Sequence, residues 1–257
     1  MLESIDIQIL IDISEAAGDA IMEIYKNDFS VEMKADKSPL TSADKASNDV
    51  IVAGLQKHFP NIPIISEETR LLPYSERKNW EYCWVVDPLD GTKEFIKKNG
   101  EFTTNIALIH KGHSVLGVVY IPVSKEMYYA KKGSGSFKVE GETHTQIHTK
   151  AIAPNETVKV FVSRSHLNED TQKFVDELKE KHDEVDLVSA GSSLKFTLIA
   201  EGKAHFYPRF APTMEWDTAA GHIIAEEAGA TITKQPEGDA LRYNRENLLN
   251  PYFLVMC

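Results

Sequence analysis

Two aspartates separated by a proline-led turn form the segment of this sequence most suited to chemistry. Residues 87–92 read Asp-Pro-Leu-Asp-Gly-Thr. Proline fixes its own φ and biases Asp87 toward an extended conformation, while the glycine lets the chain turn sharply. The bend can aim Asp87, Asp90 and the Leu89 carbonyl at one point, an all-oxygen ligand set of the kind that Mg²⁺ prefers. An ordinary solvated turn is the alternative, because Asp, Pro and Gly are common turn residues.

Two further acidic segments lie at the ends of predicted elements. Glu67-Glu68 directly follows a short apolar strand, and Asp217 lies where a helix is expected to start. Their ordinary interpretations are a solvated loop for the first and a helix N-cap for the second. Acids that cluster are favourable only where a cation offsets their repulsion. Taken together, the three segments indicate a divalent cation site.

Several residues of the second half are candidates for holding a phosphate. Gly191-Ser192-Ser193 opens a predicted helix, whose free N–H and hydroxyl groups can bind an anion, and Lys195 adds a positive charge. Arg209 follows an apolar strand and closely precedes the third acidic segment. The alternatives are a serine-rich N-cap with an exposed lysine, an arginine paired with a carboxylate and, for His166, a surface histidine.

The elements that must position these residues change character near residue 150. Residues 1–150 combine two amphipathic helices with a meander of short strands, whereas residues 151–257 alternate strand and helix. We therefore predict an α+β sub-domain over 1–150 and an α/β sub-domain over 151–257, with the polar segment 143–156 as the boundary. The predicted helices are 5–24, 42–58, 169–181, 193–201 and 218–227. The predicted strands are 31–33, 63–66, 80–87, 104–110, 114–122, 126–131, 136–139, 158–163, 185–188 and 204–207, with two more near 230 and 252.

Composition excludes several classes of protein. The chain has 257 residues, 42% of them hydrophobic, and a net charge of −11, which fits a globular protein and disfavours binding to nucleic acid. No apolar run reaches the roughly 18 residues of a membrane span, and the acidic start of the chain is unlike a signal peptide. The two cysteines form no disulfide framework. We expect a cytoplasmic protein without a transmembrane segment; peripheral association with the inner membrane and the oligomeric state stay open.

In this order, the acidic segments resemble one superfamily of phosphatases. Ser-Glu-Glu at 66–68, Trp-Val-Val-Asp-Pro-Leu-Asp-Gly-Thr at 84–92 and Glu-Trp-Asp-Thr-Ala-Ala-Gly at 215–221 are similar to the lithium-sensitive, magnesium-dependent superfamily of inositol monophosphatases, fructose-1,6-bisphosphatases and 3′(2′),5′-bisphosphate nucleotidases. The likeness spans nearly the whole chain. Segments 163–166, 191–196 and 207–210 favour the CysQ-type nucleotidases, which hydrolyse adenosine 3′,5′-bisphosphate to AMP and phosphate.

The resemblance implies a fold, a cofactor and a mechanism. The fold is a layered α/β/α/β/α sandwich of two sub-domains with the site between them. Two or three Mg²⁺ ions bind each site, and a metal-activated water attacks the phosphorus of a small nucleotide bisphosphate without a covalent intermediate. The implied metal ligands are Glu67, Asp87, the Leu89 carbonyl, Asp90 and Asp217. The implied catalytic residues are Asp44, Glu67 and Thr92, and the implied substrate contacts are Asp90, Gly91, Thr92, His166, Ser192, Lys195, Arg209 and Asp217.

Two alternative functions stay open at this point. An inositol monophosphatase would carry the same metal ligands, but its monophosphate substrate gives Lys195 and Arg209 no second anion to bind. The other alternative is a nucleotide- or metal-binding regulator without turnover, and the presence of every required acid argues against it. A glycine-rich nucleotide loop at Gly133 and Gly135 is disfavoured, because no such motif is completed and a hairpin turn explains both glycines.

Overall fold

Two large β-sheets and the helices around them make up the described part of the protein. The structure is a computed structural model that describes residues 2–27, 30–33, 39–162 and 168–257. Its helices are α1 (Ile7–Tyr25), α2 (Ser42–His58), α3 (Tyr74–Arg77), α4 (Thr92–Ile96), α5 (Glu169–Lys179), α6 (Leu194–Ala200) and α7 (Glu215–Glu227). Its strands are β1 (Val31–Met33), β2 (Pro39–Thr41), β3 (Ile64–Ser66), β4 (Tyr82–Asp90), β5 (Thr103–His110), β6 (His113–Ile121), β7 (Glu126–Lys131), β8 (Gly135–Glu140), β9 (Thr143–Ile147), β10 (Val158–Phe161), β11 (Val185–Val188), β12 (Phe206–Arg209), β13 (Thr231–Lys234) and β14 (Phe253–Met256).

The first large sheet contains seven strands in the order β3-β4-β5-β6-β7-β8-β9. Only β3 and β4 run parallel, and the remaining neighbours are antiparallel, so the predicted meander is confirmed. Trp84 and Val86 of β4 pack with α1 and α2, while Cys83 and Val85 belong to the core on the α7 side. Because side chains alternate along a strand, the next odd-numbered residue, Asp87, is directed toward α7.

The second large sheet has the strand order β11-β10-β12-β14-β13. Helices α6 and α7 pack between the two sheets, in a core where Phe196 and Ile223 meet side chains from both. Helix α5 covers the outer face of the second sheet through Val175 and Leu178. The layers are therefore α1/α2, sheet, α6/α7, sheet and α5, which confirms the predicted α/β/α/β/α sandwich.

A close approach between β6 and α7 sets the position of that central helix. A Cβ atom added to Gly117 would lie 2.6 Å from the carbonyl oxygen of Ala220. Only glycine lets the helix backbone pack this tightly against the strand. Since α7 also carries Asp217, this contact helps to place an acidic residue at the edge of the first sheet.

The structure departs from the sequence prediction in several elements. Strand β4 continues to Asp90 through a register shift after Asp87, where a turn was expected. Helix α7 begins three residues earlier than predicted, and strand β2 and the short helices α3 and α4 were missed. Strand β9 lies inside the predicted boundary segment 143–156 and was also missed, because four of its five residues are exposed and show no apolar alternation. The division into 1–150 and 151–257 stays a prediction.

No helix among residues 2–27, 30–33, 39–162 and 168–257 is long and apolar enough to cross a membrane.

Candidate active site

Three carboxylates meet where the first sheet faces the start of α7. Glu67 follows β3 and Asp87 lies in the adjacent parallel strand β4, while Asp217 comes from the first turn of α7. One oxygen atom from each of the three carboxylates lies within 4.8 Å of the other two. We call these residues the acidic trio. The sequence analysis grouped these three residues in one cation site, and the structure places them in one cleft of about 550 Å³.

Asp217 is fixed by its position in the helix. The N-cap of α7 is Met214, so Asp217 is the third helical residue rather than the N-cap that the sequence suggested. Its Oδ2 accepts a hydrogen bond from the backbone N–H of Met214, at 2.9 Å. The second carboxylate oxygen is left to face the cleft.

Asp90 and the Leu89 carbonyl border the same cleft but lie beside the acidic trio. The register shift in β4 pairs Asp90 with Thr103, and Asn105 Nδ2 donates to Asp90 Oδ2 at 3.4 Å. Leu89 also lines the cleft, and its carbonyl oxygen lies 3.4 Å from the Thr92 hydroxyl oxygen. The sequence analysis predicted that both groups lie near the acidic residues, and both border this cleft, with Asp90 at its edge. Gly91 follows with a φ of 94°, a conformation that favours glycine.

Thr92 and Asp44 form the pair that the family resemblance implied. The Thr92 hydroxyl donates to Asp44 Oδ1 at 3.1 Å. Asp44 lies in the first turn of α2, where its Oδ2 accepts from the backbone N–H and the hydroxyl of Thr41, both at 2.7 Å. Because the Thr92 hydroxyl uses its hydrogen in this bond to Asp44, its oxygen can only accept a hydrogen bond from a molecule in the cleft.

Burial and mutual repulsion make the acidic residues difficult to ionise without a cation. Burial raises the pKa of Asp217 to about 8 and that of Asp90 to about 6, and neighbouring carboxylates add to the effect at Asp217. The pKa of Asp87 is also well above its usual range, first through burial and then through Glu67 and Asp90. In the described part of the chain, no lysine or arginine forms a salt bridge with Asp87 or Asp217. The oxygen donor set therefore fits a hard divalent cation such as Mg²⁺.

These pKa shifts predict how stability depends on pH when no metal is present. A carboxyl whose folded pKa exceeds its unfolded value of about 4 favours the folded state at low pH, and this stabilisation is lost as pH rises through the folded pKa. In EDTA, we expect the melting temperature to fall from about pH 4, where these carboxyls ionise in the unfolded chain, up to about pH 6 for the share of Asp90 and about pH 8 for that of Asp217. Saturating Mg²⁺ should reduce this fall. Differential scanning calorimetry checks both effects, and a melting temperature that is flat in EDTA and unchanged by Mg²⁺ would contradict them.

A second, smaller pocket of about 290 Å³ adjoins the cleft and contains most of the predicted phosphate-binding residues. Lys195 is buried and donates from Nζ to the carbonyl oxygens of Ala190 and Ser192, at 2.9 and 2.8 Å. Burial lowers its pKa to about 8. Arg209 donates to the Pro212 carbonyl at 3.0 Å, and its Nε is buried without a hydrogen-bond partner among the described residues. Lys195 and Arg209, which we call the two pocket cations, thus lie beside Asp90, and the exposed Lys93 also borders the pocket.

Two details of the predicted phosphate segment are different in the structure. Ser193 makes no capping hydrogen bond, because its hydroxyl donates to Asn105 Oδ1 at 2.8 Å, and Lys195 is buried rather than exposed. The N–H of Gly191 is also occupied, since it donates to Glu101 at 2.6 Å. Ser192, with a φ of 40° and a buried hydroxyl that lacks a partner in the described structure, is left as the serine able to meet a ligand. His166 lies outside the described residues.

The backbone N–H groups of Gly133 and Gly135, in the glycine-rich turn, are occupied by a side chain. Both N–H groups donate to the carboxylate of Glu227 on α7, each at 2.9 Å. These glycines close the hairpin between β7 and β8, as the sequence indicated.

Sequence reasoning missed the residues that support Asp90. Thr103 and Ser193 lie 2.8 Å apart, and Asn105 accepts hydrogen bonds from both hydroxyls while it donates to Asp90. All three supporting side chains are buried. Their signal in the sequence is the polar run Thr103-Thr104-Asn105 at the start of an otherwise apolar strand, which is unusual for a core position.

Known proteins resemble this chain over nearly its full length. A sequence profile of the inositol monophosphatase family matches residues 3–251. The 3′(2′),5′-bisphosphate nucleotidase CysQ of Salmonella typhimurium is 49% identical over 242 residues, which cover 93% of this chain and 94% of that protein.

Solved structures extend the likeness to the fold. The crystal structure of CysQ from Bacteroides thetaiotaomicron, a bacterial member of the inositol monophosphatase family, has a TM-score of 0.86 at 45% identity and covers 97% of this chain and 96% of its own. A Thermotoga maritima IMPase has a TM-score of 0.78 at 25% identity and covers 97% of this chain and 91% of its own. The resemblance seen in the acidic segments is confirmed, and this chain belongs to the inositol monophosphatase family.

Proposed function

We propose that this protein is a magnesium-dependent 3′(2′),5′-bisphosphate nucleotidase that hydrolyses adenosine 3′,5′-bisphosphate to AMP and phosphate. The observation that carries the proposal is the acidic trio, whose oxygen atoms lie within 4.8 Å of one another beside the pocket that contains Lys195 and Arg209. Identities near 50% with nucleotidases of this name over almost the entire chain support the choice of substrate.

The acidic residues supply the ligands for the cofactor. Glu67, Asp87 and Asp217 would hold Mg²⁺ directly, and Asp90 and the Leu89 carbonyl would complete a site for two or three ions. When bound, Mg²⁺ neutralises negative charge on the phosphoryl oxygens and activates water. Hydrogen bonds to Leu89 and Met214 keep the Asp87 and Asp217 carboxylates in place for this role.

The Thr92–Asp44 pair orients the attacking water. Since the Thr92 hydroxyl donates to Asp44, its oxygen accepts a hydrogen bond from a water molecule in the cleft and so directs one lone pair of that water toward phosphorus. Asp44 stays an acceptor because Thr41 donates to its other oxygen. No serine or cysteine nucleophile is required.

The smaller pocket would receive the phosphate that is not cleaved. Within the described part of the chain Arg209 Nε is unpartnered, so the guanidinium can offer an anion two parallel hydrogen bonds, while Ser192 can donate its hydroxyl. Lys195 adds positive charge to the wall of the pocket, where hydrogen bonds to two backbone carbonyls hold its Nζ. The family resemblance adds His166 to these contacts.

Replacing Thr92 tests the water-orienting role. Thr92→Ala is expected to lower kcat about a hundredfold with little change in KM, because the hydroxyl contacts the attacking water and not the nucleotide. Thr92→Ser is the matched control and should keep most of the activity, since it retains the hydroxyl. Steady-state kinetics measure both variants. A Thr92→Ala variant that changes only KM would refute the role.

The proposed activity has a simple test. Phosphate release from adenosine 3′,5′-bisphosphate is measured with Mg²⁺ and with EDTA, and the nucleotide product is identified by chromatography. We expect release only with Mg²⁺ and adenosine 5′-monophosphate as the product. Release that persists in EDTA, or a product that retains the 3′-phosphate, would contradict the proposal.

A further inference from the structure

A buried network outside the cleft connects two of the three chain segments that supply the acidic trio, the one that follows Glu67 and the start of α7. Its centre is the segment 244–250, which we call the clasp loop. Arg77 of α3 is 1% exposed and donates to the carbonyl oxygens of Arg245 and Glu246, at 2.8 and 3.0 Å. Arg77 also donates to the carbonyl of Leu72, in the chain segment that follows Glu67.

Glu215 binds the clasp loop from the opposite side. Its side chain is 0% exposed, and its carboxylate accepts from the backbone N–H groups of Asn244 and Arg245, at 2.5 and 3.1 Å, and from Arg245 Nε at 3.0 Å. The clasp loop thus presents carbonyl oxygens to the buried Arg77 guanidinium and N–H groups to the buried Glu215 carboxylate. Hydrogen bonds with peptide groups therefore compensate each of the two side chains for its burial.

From the clasp loop, contacts lead to the start of α7 and therefore to Asp217. Arg245 donates to Asn250 Oδ1 at 3.2 Å, and Asn250 Nδ2 donates to the Met214 carbonyl at 2.7 Å and to Thr218 at 3.0 Å. Met214 is the residue whose N–H holds the Asp217 carboxylate. The clasp loop consequently contacts Met214 and Thr218, which lie on either side of this proposed metal ligand in the chain.

We infer that Glu215 is a positioning residue that holds Asp217 in place for the divalent cation by anchoring the clasp loop. This inference rests on the proposed function of the acidic trio. Asn244 has a φ of 57°, a left-handed conformation that asparagine tolerates better than most residues, and the Glu215 carboxylate supports it by accepting a hydrogen bond from its backbone N–H. Loss of the Glu215 carboxylate would release that support, and the start of α7 would become mobile while the rest of the helix stays packed.

Glu215→Gln removes the charge and keeps the shape. A glutamine amide must turn its NH₂ toward one of the loop N–H groups, so one of these donors loses its acceptor. We expect isothermal titration calorimetry to show an Mg²⁺ affinity about tenfold weaker than in the wild type, in line with other residues that support metal ligands. The value of kcat at saturating Mg²⁺ should stay close to that of the wild type.

Glu227→Gln is the matched control on the same helix. Glu227 also accepts two backbone N–H groups, from Gly133 and Gly135, but at the far end of α7. Its replacement should leave the Mg²⁺ affinity unchanged. If Glu215→Gln does not fold, Arg245→Lys tests the positioning role instead. Arg245 is 30% exposed, so its replacement is tolerated more easily, and a lysine cannot contact Glu215 and Asn250 together. Arg245→Lys is then expected to weaken Mg²⁺ binding in the same direction.

The outcomes separate this inference from the proposed function. Weaker Mg²⁺ binding in Glu215→Gln, with wild-type affinity in Glu227→Gln, supports the positioning role. Unchanged affinity in Glu215→Gln, or in Arg245→Lys where the first variant is unfolded, overturns it, as does equal weakening in Glu227→Gln. Absence of Mg²⁺ binding in the wild type would overturn the proposed function as well.

Discussion

Asp87→Asn is expected to abolish nearly all activity while it raises the melting temperature of the metal-free protein. Asp87 is buried and surrounded by Glu67, Asp90 and Asp217, so its charge is unfavourable until a cation binds. An asparagine removes this repulsion and can still accept the hydrogen bond from Leu89. It removes a cation ligand at the same time. We expect kcat/KM to fall at least a thousandfold, about 4 kcal/mol.

The two opposite effects make this prediction demanding. A general structural defect would lower both activity and stability, whereas loss of a metal ligand lowers activity and the stabilisation by Mg²⁺ alone. Asp186→Asn provides the control, because Asp186 is exposed on β11 and undergoes the same chemical change. Asp90→Asn should cost about a hundredfold, since Asp90 lies beside the acidic trio. Near wild-type activity of Asp87→Asn at high Mg²⁺ would refute the ligand assignment.

Replacement of both pocket cations is the second change with a large expected effect. The double variant Lys195→Ala, Arg209→Ala is expected to lose about 3 kcal/mol of kcat/KM for adenosine 3′,5′-bisphosphate, because a buried phosphate would lose its charged partners. The loss for adenosine 3′-monophosphate should be much smaller, since that substrate lacks the phosphate that these residues would bind. Kinetics of both substrates with wild type and variant form a double-mutant cycle.

The single variants distinguish the two residues. Arg209 Nε has no hydrogen-bond partner among the described residues, and Arg209 should account for the substrate preference, so Arg209→Ala is expected to affect the bisphosphate selectively. Lys195 supports the 190–192 backbone and lies close to Asp90, so Lys195→Ala should impair both substrates. Equal losses for both substrates in Arg209→Ala would mean that Arg209 serves the metal site or the fold.

Local sequence signals were sufficient to predict the layers and the residues of the cleft. Strands β4 to β8 are apolar runs separated by turn residues, and Thr41 caps α2 as its residue type predicts. Glu67 and Asp87 lie side by side because the parallel strands β3 and β4 pair Ser66 with Val86, the residues directly before them. By contrast, the start of α7 was missed because Met214 is not a typical capping residue.

Contacts between distant residues could not be predicted from local patterns. Thr92 and Asp44 are 48 positions apart, and only the family resemblance connected them before the structure did. Arg77 donates to the carbonyl oxygen of Arg245, 168 residues further along the chain, and no local sequence pattern around either residue indicates this contact. The support of Asp90 by Asn105 and Ser193 likewise depends on how α6 packs against β5. Ligand types are therefore visible in the sequence, whereas the residues that hold them in place are a property of tertiary packing.

The most direct test of the central claim is the ratio of kcat/KM for adenosine 3′,5′-bisphosphate to that for inositol 1-phosphate, measured side by side with saturating Mg²⁺. A magnesium site beside the pocket that contains Lys195 and Arg209 predicts a strong preference for the bisphosphate, and no turnover of either compound in EDTA. A protein that prefers inositol 1-phosphate, or that binds Mg²⁺ and hydrolyses neither compound, would contradict this account.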